Sequence, residues 1–225
     1  MSPGQVLITL AVLVTAGVTA GVVRPLLHWL PEPVGQEGAE DKPAYRDLAH
    51  PHFVLACVLC SAVAAAIGWT TLPPALQPLW SVLSVGGVLL AAIDAVTTWL
   101  PLPLVQITWV SMTVAALTGA SLAGSWALLL RAAVGAALAG GLYLAVWVLS
   151  RGGFGFGDVR FAPLLGAAAA ADSWALLGSA LLAGSLLGAG HGLLRLVRRR
   201  AGAFPYAPAM LGGCYLAALA QWLVR

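Results

Sequence analysis

Charge is scarce in this sequence: Asp, Glu, Lys and Arg make up 8% of its 225 residues, while 60% are hydrophobic. The mean hydropathy is +0.93. A soluble domain of this size needs about three times that share of charge to cover its surface, so a soluble fold is excluded. Cysteine is scarce as well. Cys57 and Cys60 fall in one apolar run and Cys214 in another, and no second pair completes a zinc site. Such cysteines read as small apolar side chains in packed helices. Short alternating runs of the kind that build a membrane barrel are absent, which leaves helices as the spanning elements. Lysine is nearly absent: ten of the eleven basic residues are Arg and one is Lys. The net charge of +3 does not point to nucleic acid, because the basic residues fall where membrane topology puts them.

What is present is a series of long apolar runs, several reaching the roughly 20 residues that cross a bilayer. Charges, Pro and Gly divide them into eight spans: 6–23, 53–69, 76–93, 104–122, 126–149, 159–171, 176–197 and 208–223. The sixth is short and needs Gly157, Asp158 and Ser173 to cross. The expectation is an all-α integral membrane protein of about eight transmembrane helices. The first run is read as a retained helix, not a cleaved leader, because no basic stretch precedes it and Arg24 follows it. Trp69, Trp80, Trp99, Trp126 and Trp174 lie near span ends, as interfacial anchors do, and each reads as an anchor or a packing group before a ligand contact.

Lys and Arg set the orientation. The first connection holds Arg24, Lys42 and Arg46; the fifth holds Arg151 and Arg160; the seventh holds Arg195, Arg198, Arg199 and Arg200. Nine of the eleven basic residues thus lie on one side, the cytoplasmic one, and the N-terminus lies outside. Arg131, inside the fifth span, and Arg225, beyond the eighth, are the two exceptions. The first connection, 24–52, is the only sizeable segment outside the membrane and is too short for a core of its own. Its His28, His50, His52, Asp41 and Asp47 have no recognisable ligand spacing and read as a solvated loop. His191, near the end of the seventh span, reads as a packing or headgroup contact.

Five of the eight acidic residues fall in that loop, where water solvates them, and Asp172 reads as a helix N-cap. Asp94 and Asp158 remain. Ionisable groups in membrane segments are costly and mark function when they occur. Asp94 closes the third span and Asp158 opens the sixth, so both lie at the same cytoplasmic face. Two carboxyls set close together share a proton. The ionised partner draws a proton from water, which attacks a peptide carbonyl; the protonated partner donates to the oxyanion and then helps the amine leave. Gly155 and Gly157 flank the approach to Asp158, free the backbone from helical geometry and let an extended substrate come close.

At these residues the sequence resembles the type IV prepilin peptidases, the bacterial branch of the GxGD intramembrane aspartic proteases. Asp94, with Leu100-Pro101 following, looks like the family's first aspartate motif. Gly155-Phe156-Gly157-Asp158-Val159-Arg160 looks like its GxGD motif with the usual basic residue two places on, and Phe204-Pro205-Tyr206-Ala207-Pro208 is similar to the stretch that opens the last span. The resemblance implies catalytic Asp94 and Asp158, supported by Gly155, Gly157, Arg160, Pro101, Pro205 and Pro208. It also implies a multi-pass protein of the bacterial inner membrane: residues 1–23 as a first helix, 24–52 as a cytoplasmic loop, and 53–225 as the transmembrane peptidase domain. The expected partners are prepilin or pseudopilin precursors, cut between a basic leader and a hydrophobic helix, and the lipid bilayer. Many members carry paired Cys-x-x-Cys motifs in the first connection, which support zinc and methylation of the product. Here 24–52 has no cysteine, so no zinc, S-adenosylmethionine or other cofactor is expected, and Ala207 stands where glycine is usual. Two other readings use the same aspartates. One is an ion-coupled transporter, which would put acidic residues near the bilayer midplane at broken helices; the other is a non-catalytic assembly factor of a pilus or secretion machine.

Overall fold

Local sequence punctuates the helices of a computed structural model, which describes residues 2–32, 42–151, 155–199 and 204–224. Helix α1 (Pro3–Trp29) opens with Pro3 behind a capping box between Ser2 and Gln5. Helix α2 (Pro51–Thr71) is capped by His50, whose Nδ1 accepts from the Phe53 N–H at 3.2 Å. Helix α3 (Pro74–Thr97) carries a π-turn at Leu83–Gly87. Helix α4 (Leu102–Ala123) starts behind Pro101 and stops at Gly124, which takes the left-handed conformation (φ 59°) that glycine tolerates. Then follow α5 (Trp126–Leu149), α6 (Phe156–Asp172), α7 (Trp174–Val197) and α8 (Ala207–Val224). No strand occurs among the described residues. Asp41, Gly152, Gly153, Phe154, Arg200 and Arg225 lie outside them.

Seven of these helices, all but α6, are long and apolar enough to cross a bilayer. The chain is an all-α polytopic membrane protein. Its exposed residues say the same: Leu10, Leu13 and Val14 of α1, Leu59 and Val63 of α2 and Leu182 and Leu186 of α7 are each more than half exposed, on faces that suit lipid and not water.

At 17 residues, α6 is the exception. It is about 25 Å long, against roughly 30 Å for a hydrocarbon core. Every residue from Leu164 to Ala171 is buried, and α3, α4, α5, α7 and α8 all pack against it. A helix sheathed in protein has no need to match the lipid thickness. The alanine run 167–171 lets its neighbours close in, and a Cβ on Gly135 of α5 would land on the Gly166 carbonyl of α6. Small residues at a membrane helix contact bring backbones together in this way.

Of the tryptophans read as anchors or packing groups, Trp80 is a packing group: it is fully buried, with its ring 5.1 Å from Tyr215 in a T-shaped contact. Ser84, in the π-turn, bonds the Tyr215 hydroxyl at 2.8 Å and the Trp80 carbonyl at 2.8 Å. Trp126 and Trp174 are exposed at helix starts, as anchors are. Asp172 is not an N-cap but the last residue of α6. The cap of α7 is Ser173, which accepts from the Leu176 N–H at 3.1 Å and donates to Asp172 at 3.0 Å.

Successive helices alternate in direction. The end of α3, the start of α4, the start of α6 and the start of α8 therefore meet at one end of the bundle. Of the nine basic residues assigned to one side, the eight described ones lie at that end.

Candidate functional site

Asp94 sits one turn before the C-terminus of α3, and the π-turn lies two turns upstream of it. A π-turn takes an extra residue into the helix and so resets which face the following residues present. After it, Val88–Ala91, Ile93, Asp94 and Thr97 turn inward while Ala95 and Val96 face out. Asp158 lies in the first turn of α6, behind the N-cap Gly155. Both side chains are almost fully enclosed, Asp94 at 4% and Asp158 at 6% exposure. Both line one cavity of about 670 Å³ at the basic end of the bundle. Their carboxyls are within electrostatic reach of each other.

The two aspartates are held differently. Asp94 Oδ2 accepts a hydrogen bond from the Ala207 N–H at 3.0 Å. That donor is the first residue of α8, where unpaired amides and the helix dipole favour an anion. Asp158 Oδ1 is buried with no hydrogen-bond partner among the described residues. A buried carboxyl oxygen is seldom left unpaired, so this atom needs an explanation, and a catalytic role is one.

The glycines and the proline motif bring these groups together. A Cβ on Gly155 would stand 2.9 Å from Asp158 Oδ2, so only glycine leaves the carboxyl its place. A Cβ on Gly157 would meet Leu100 Cβ at 3.2 Å and Cδ1 at 3.1 Å. Gly157 thus lets the start of α6 lie against the loop that follows Asp94. Of the residues expected from sequence, Asp94, Pro101, Gly155, Gly157, Asp158 and Arg160 all line the cavity. Arg160 stacks its guanidinium 4.7 Å above the Phe156 ring, and its carbonyl accepts from Trp109 Nε1 at 2.9 Å. Pro205 is buried beside the cavity-lining Phe204. Pro208 lies elsewhere: it faces an apolar groove of about 600 Å³ between α2, α3 and α8.

Sequence reasoning missed the part played by the loop between α1 and α2. Glu32 and Tyr45 line the cavity. The Glu32 carboxylate accepts from the N–H groups of Tyr45 at 3.0 Å and Arg46 at 3.3 Å, which ties down the 3₁₀ turn Tyr45–Leu48. Burial, helped by the Glu32 charge, pushes the Tyr45 phenol up to about 12. Lys42 reaches the turn just beyond Asp94, donating to Thr98 Oγ1 at 2.6 Å. Tyr143 of α5, also missed, lies 6.0 Å from the Tyr206 ring and within electrostatic reach of Asp158. The only signal for the loop residues Glu32, Lys42 and Tyr45 is position: their connection falls at the end that holds both aspartates. Among the described residues no group of three or more His, Cys, Asp or Glu is placed to hold a metal ion.

Such an arrangement places two carboxyls, one anchored by a backbone amide and one with an oxygen unpartnered among the described residues, around a space large enough for a peptide segment and a water molecule. No family model, curated protein or solved structure matches the chain.

Proposed function

We propose that this protein is an intramembrane aspartic endopeptidase of the prepilin peptidase kind. The observation that carries the reading is the meeting of Asp94 and Asp158, from helices far apart in sequence, as nearly enclosed side chains on one cavity. Burial of two acidic groups in an apolar bundle costs stability, and function is the common reason it is retained.

In this reading the carboxyls share a proton, as two acids at close quarters do. A water molecule between them loses a proton to the ionised carboxylate and adds to the scissile carbonyl. The protonated carboxyl donates to the oxyanion and, as the tetrahedral intermediate collapses, the amine leaves with a proton. The low-polarity walls of the site strengthen each of these bonds. The site lies at the end of the bundle, not at its middle, which suits a substrate cut where a polar leader meets a hydrophobic helix. By the distribution of Lys and Arg that end faces the cytoplasm, which in this reading is the cytoplasm of a bacterium. Prepilins and pseudopilins have this form. The same placement disfavours an ion-coupled carrier, whose acidic residues belong near the midplane.

The test is a cleavage assay in detergent or proteoliposomes with a prepilin precursor. Release of the leader, with the cut located by product mass at the leader–helix junction, supports the proposal. A panel of prepilins that all remain intact removes it. The same masses report whether a methyl group is added to the new N-terminus.

A further inference from the structure

The loop between α1 and α2 carries the chain's single lysine. Lys42 makes two contacts that a connector would not need. Its Nζ donates to Thr98 Oγ1 at 2.6 Å, 56 residues away. It stands 4.6 Å from the centroid of the Trp99 ring, in cation–π contact. It is also within electrostatic reach of the Asp94 carboxyl.

Its target is a strained turn. Thr98, which ends α3, takes the left-handed conformation (φ 56°, ψ 25°), uncommon for a β-branched residue. The Thr98 N–H closes back on the Asp94 carbonyl at 2.7 Å, so the turn and the aspartate move as one unit. The loop that delivers Lys42 is itself anchored, through Glu32 to Tyr45 and Arg46 and through the buried Tyr45 and Leu48.

We infer that Lys42 is a positioning residue for Asp94: it ties the segment 42–48 to the turn that ends α3 and brings a positive charge within electrostatic reach of the carboxylate. Glu32 and the segment 42–48 are then a working wall of the site. The inference deepens the peptidase reading, and only its activity arm rests on that reading.

The groups that face Asp94 are few. Lys42 comes from the loop, Asp158 from α6, and the Ala207 N–H from α8, with the Tyr206 N–H beside it. Glu32 and Arg160 line the same cavity, and Tyr143 of α5 approaches from the Asp158 side. Burial holds the Lys42 ammonium below the usual lysine range, and the Asp94 charge works against that. Coupling of this kind is reciprocal, so it is readable from the lysine.

A single lysine makes the measurement clean. The full chain in detergent is acylated with an amine-reactive ester across pH 7 to 10. Labelling at Lys42 is followed by peptide mass mapping, which separates it from the N-terminal amine. Asp94→Asn removes the neighbouring charge, so the Lys42 amine deprotonates at lower pH and acylates faster at a given pH, by about fivefold or more if the coupling has ordinary strength. Asp172→Asn, an equal charge loss at the far end of α6, leaves the rate as in the wild type.

The activity arm compares Lys42→Arg with Lys42→Gln on a prepilin substrate. Arg keeps the charge and stays near the wild type. Gln keeps a donor for Thr98 but loses the charge, so kcat/KM falls and the acidic limb of its pH profile moves to higher pH. A Lys42 labelling rate indifferent to Asp94→Asn overturns the inference, and so does a Lys42→Gln enzyme with the wild-type profile. Labelling that responds as expected in a protein that cuts no prepilin leaves the Lys42–Asp94 link standing and removes the peptidase reading.

Discussion

The backbone N–H of Ala207 donates to Asp94 Oδ2 across 3.0 Å, joining residues 113 positions apart. This bond fixes the start of α8 onto the last turn of α3. It explains how a stretch near the C-terminus belongs to the site through a backbone amide.

Ala207→Pro deletes that donor at a helix-starting position where proline fits the backbone. Hydrogen bonds to charged groups contribute about 1.5–3 kcal/mol, so kcat/KM on a prepilin should fall roughly 10- to 100-fold. Ala207→Gly, which keeps the N–H, should stay within a few-fold. Steady-state cleavage by the two variants at matched membrane levels gives the comparison, and equal activity would contradict the role assigned to the bond.

Gly155→Ala places a methyl 2.9 Å from Asp158 Oδ2 and must displace the carboxyl. Misplacement by a fraction of an ångström to 1 Å costs up to about 100-fold in rate. Activity should drop by at least tenfold, with ~1 kcal/mol or less lost from stability. A thermal melt of the detergent-solubilised protein alongside the cleavage assay separates the two effects.

Gly157→Ala meets Leu100 instead, at 3.1–3.2 Å. Its defect should be relieved in part by Leu100→Ala, because the two side chains compete for one space. A double-mutant cycle on cleavage rate measures the coupling, expected at about 0.5–3 kcal/mol for residues in contact. Additive losses would mean the two positions act separately.

Tyr215→Phe removes the phenol that Ser84 bonds at 2.8 Å beside the π-turn. Ser84 keeps its bond to the Trp80 carbonyl, so the loss should be about 1 kcal/mol, near the mean for one hydrogen bond. Trp80→Ala empties a fully buried site and should cost about 3–5 kcal/mol. Denaturation followed by far-UV dichroism ranks the two variants.

Much of this architecture was legible from hydropathy. A bilayer demands long apolar helices, and the runs in the sequence mark seven of them plainly. The two aspartates stood out for the same reason, as charge where charge is costly. Hydropathy is blind to which face of a helix looks inward, since lipid and protein core are equally apolar. It could not tell Trp80, enclosed against Tyr215, from Trp126, exposed at a helix start. Nor could it show that α6 is the enclosed helix, though its alanine run is the trace such packing leaves. The holding groups were hidden for another reason. The Ala207 amide is backbone and carries no sequence signal, and Lys42 lies in a polar loop that reads as solvated until the turn at Thr98 is seen beneath it.

The most direct measurement compares prepilin cleavage by the wild type with that of Asp94→Asn and Asp158→Asn, each inserted in membranes at the same level. Asn keeps the size of Asp and can neither take up nor release the proton that the mechanism moves. The account predicts that the wild type releases the leader while both variants fall to background. Cleavage at the wild-type rate by either variant would contradict a two-aspartate mechanism.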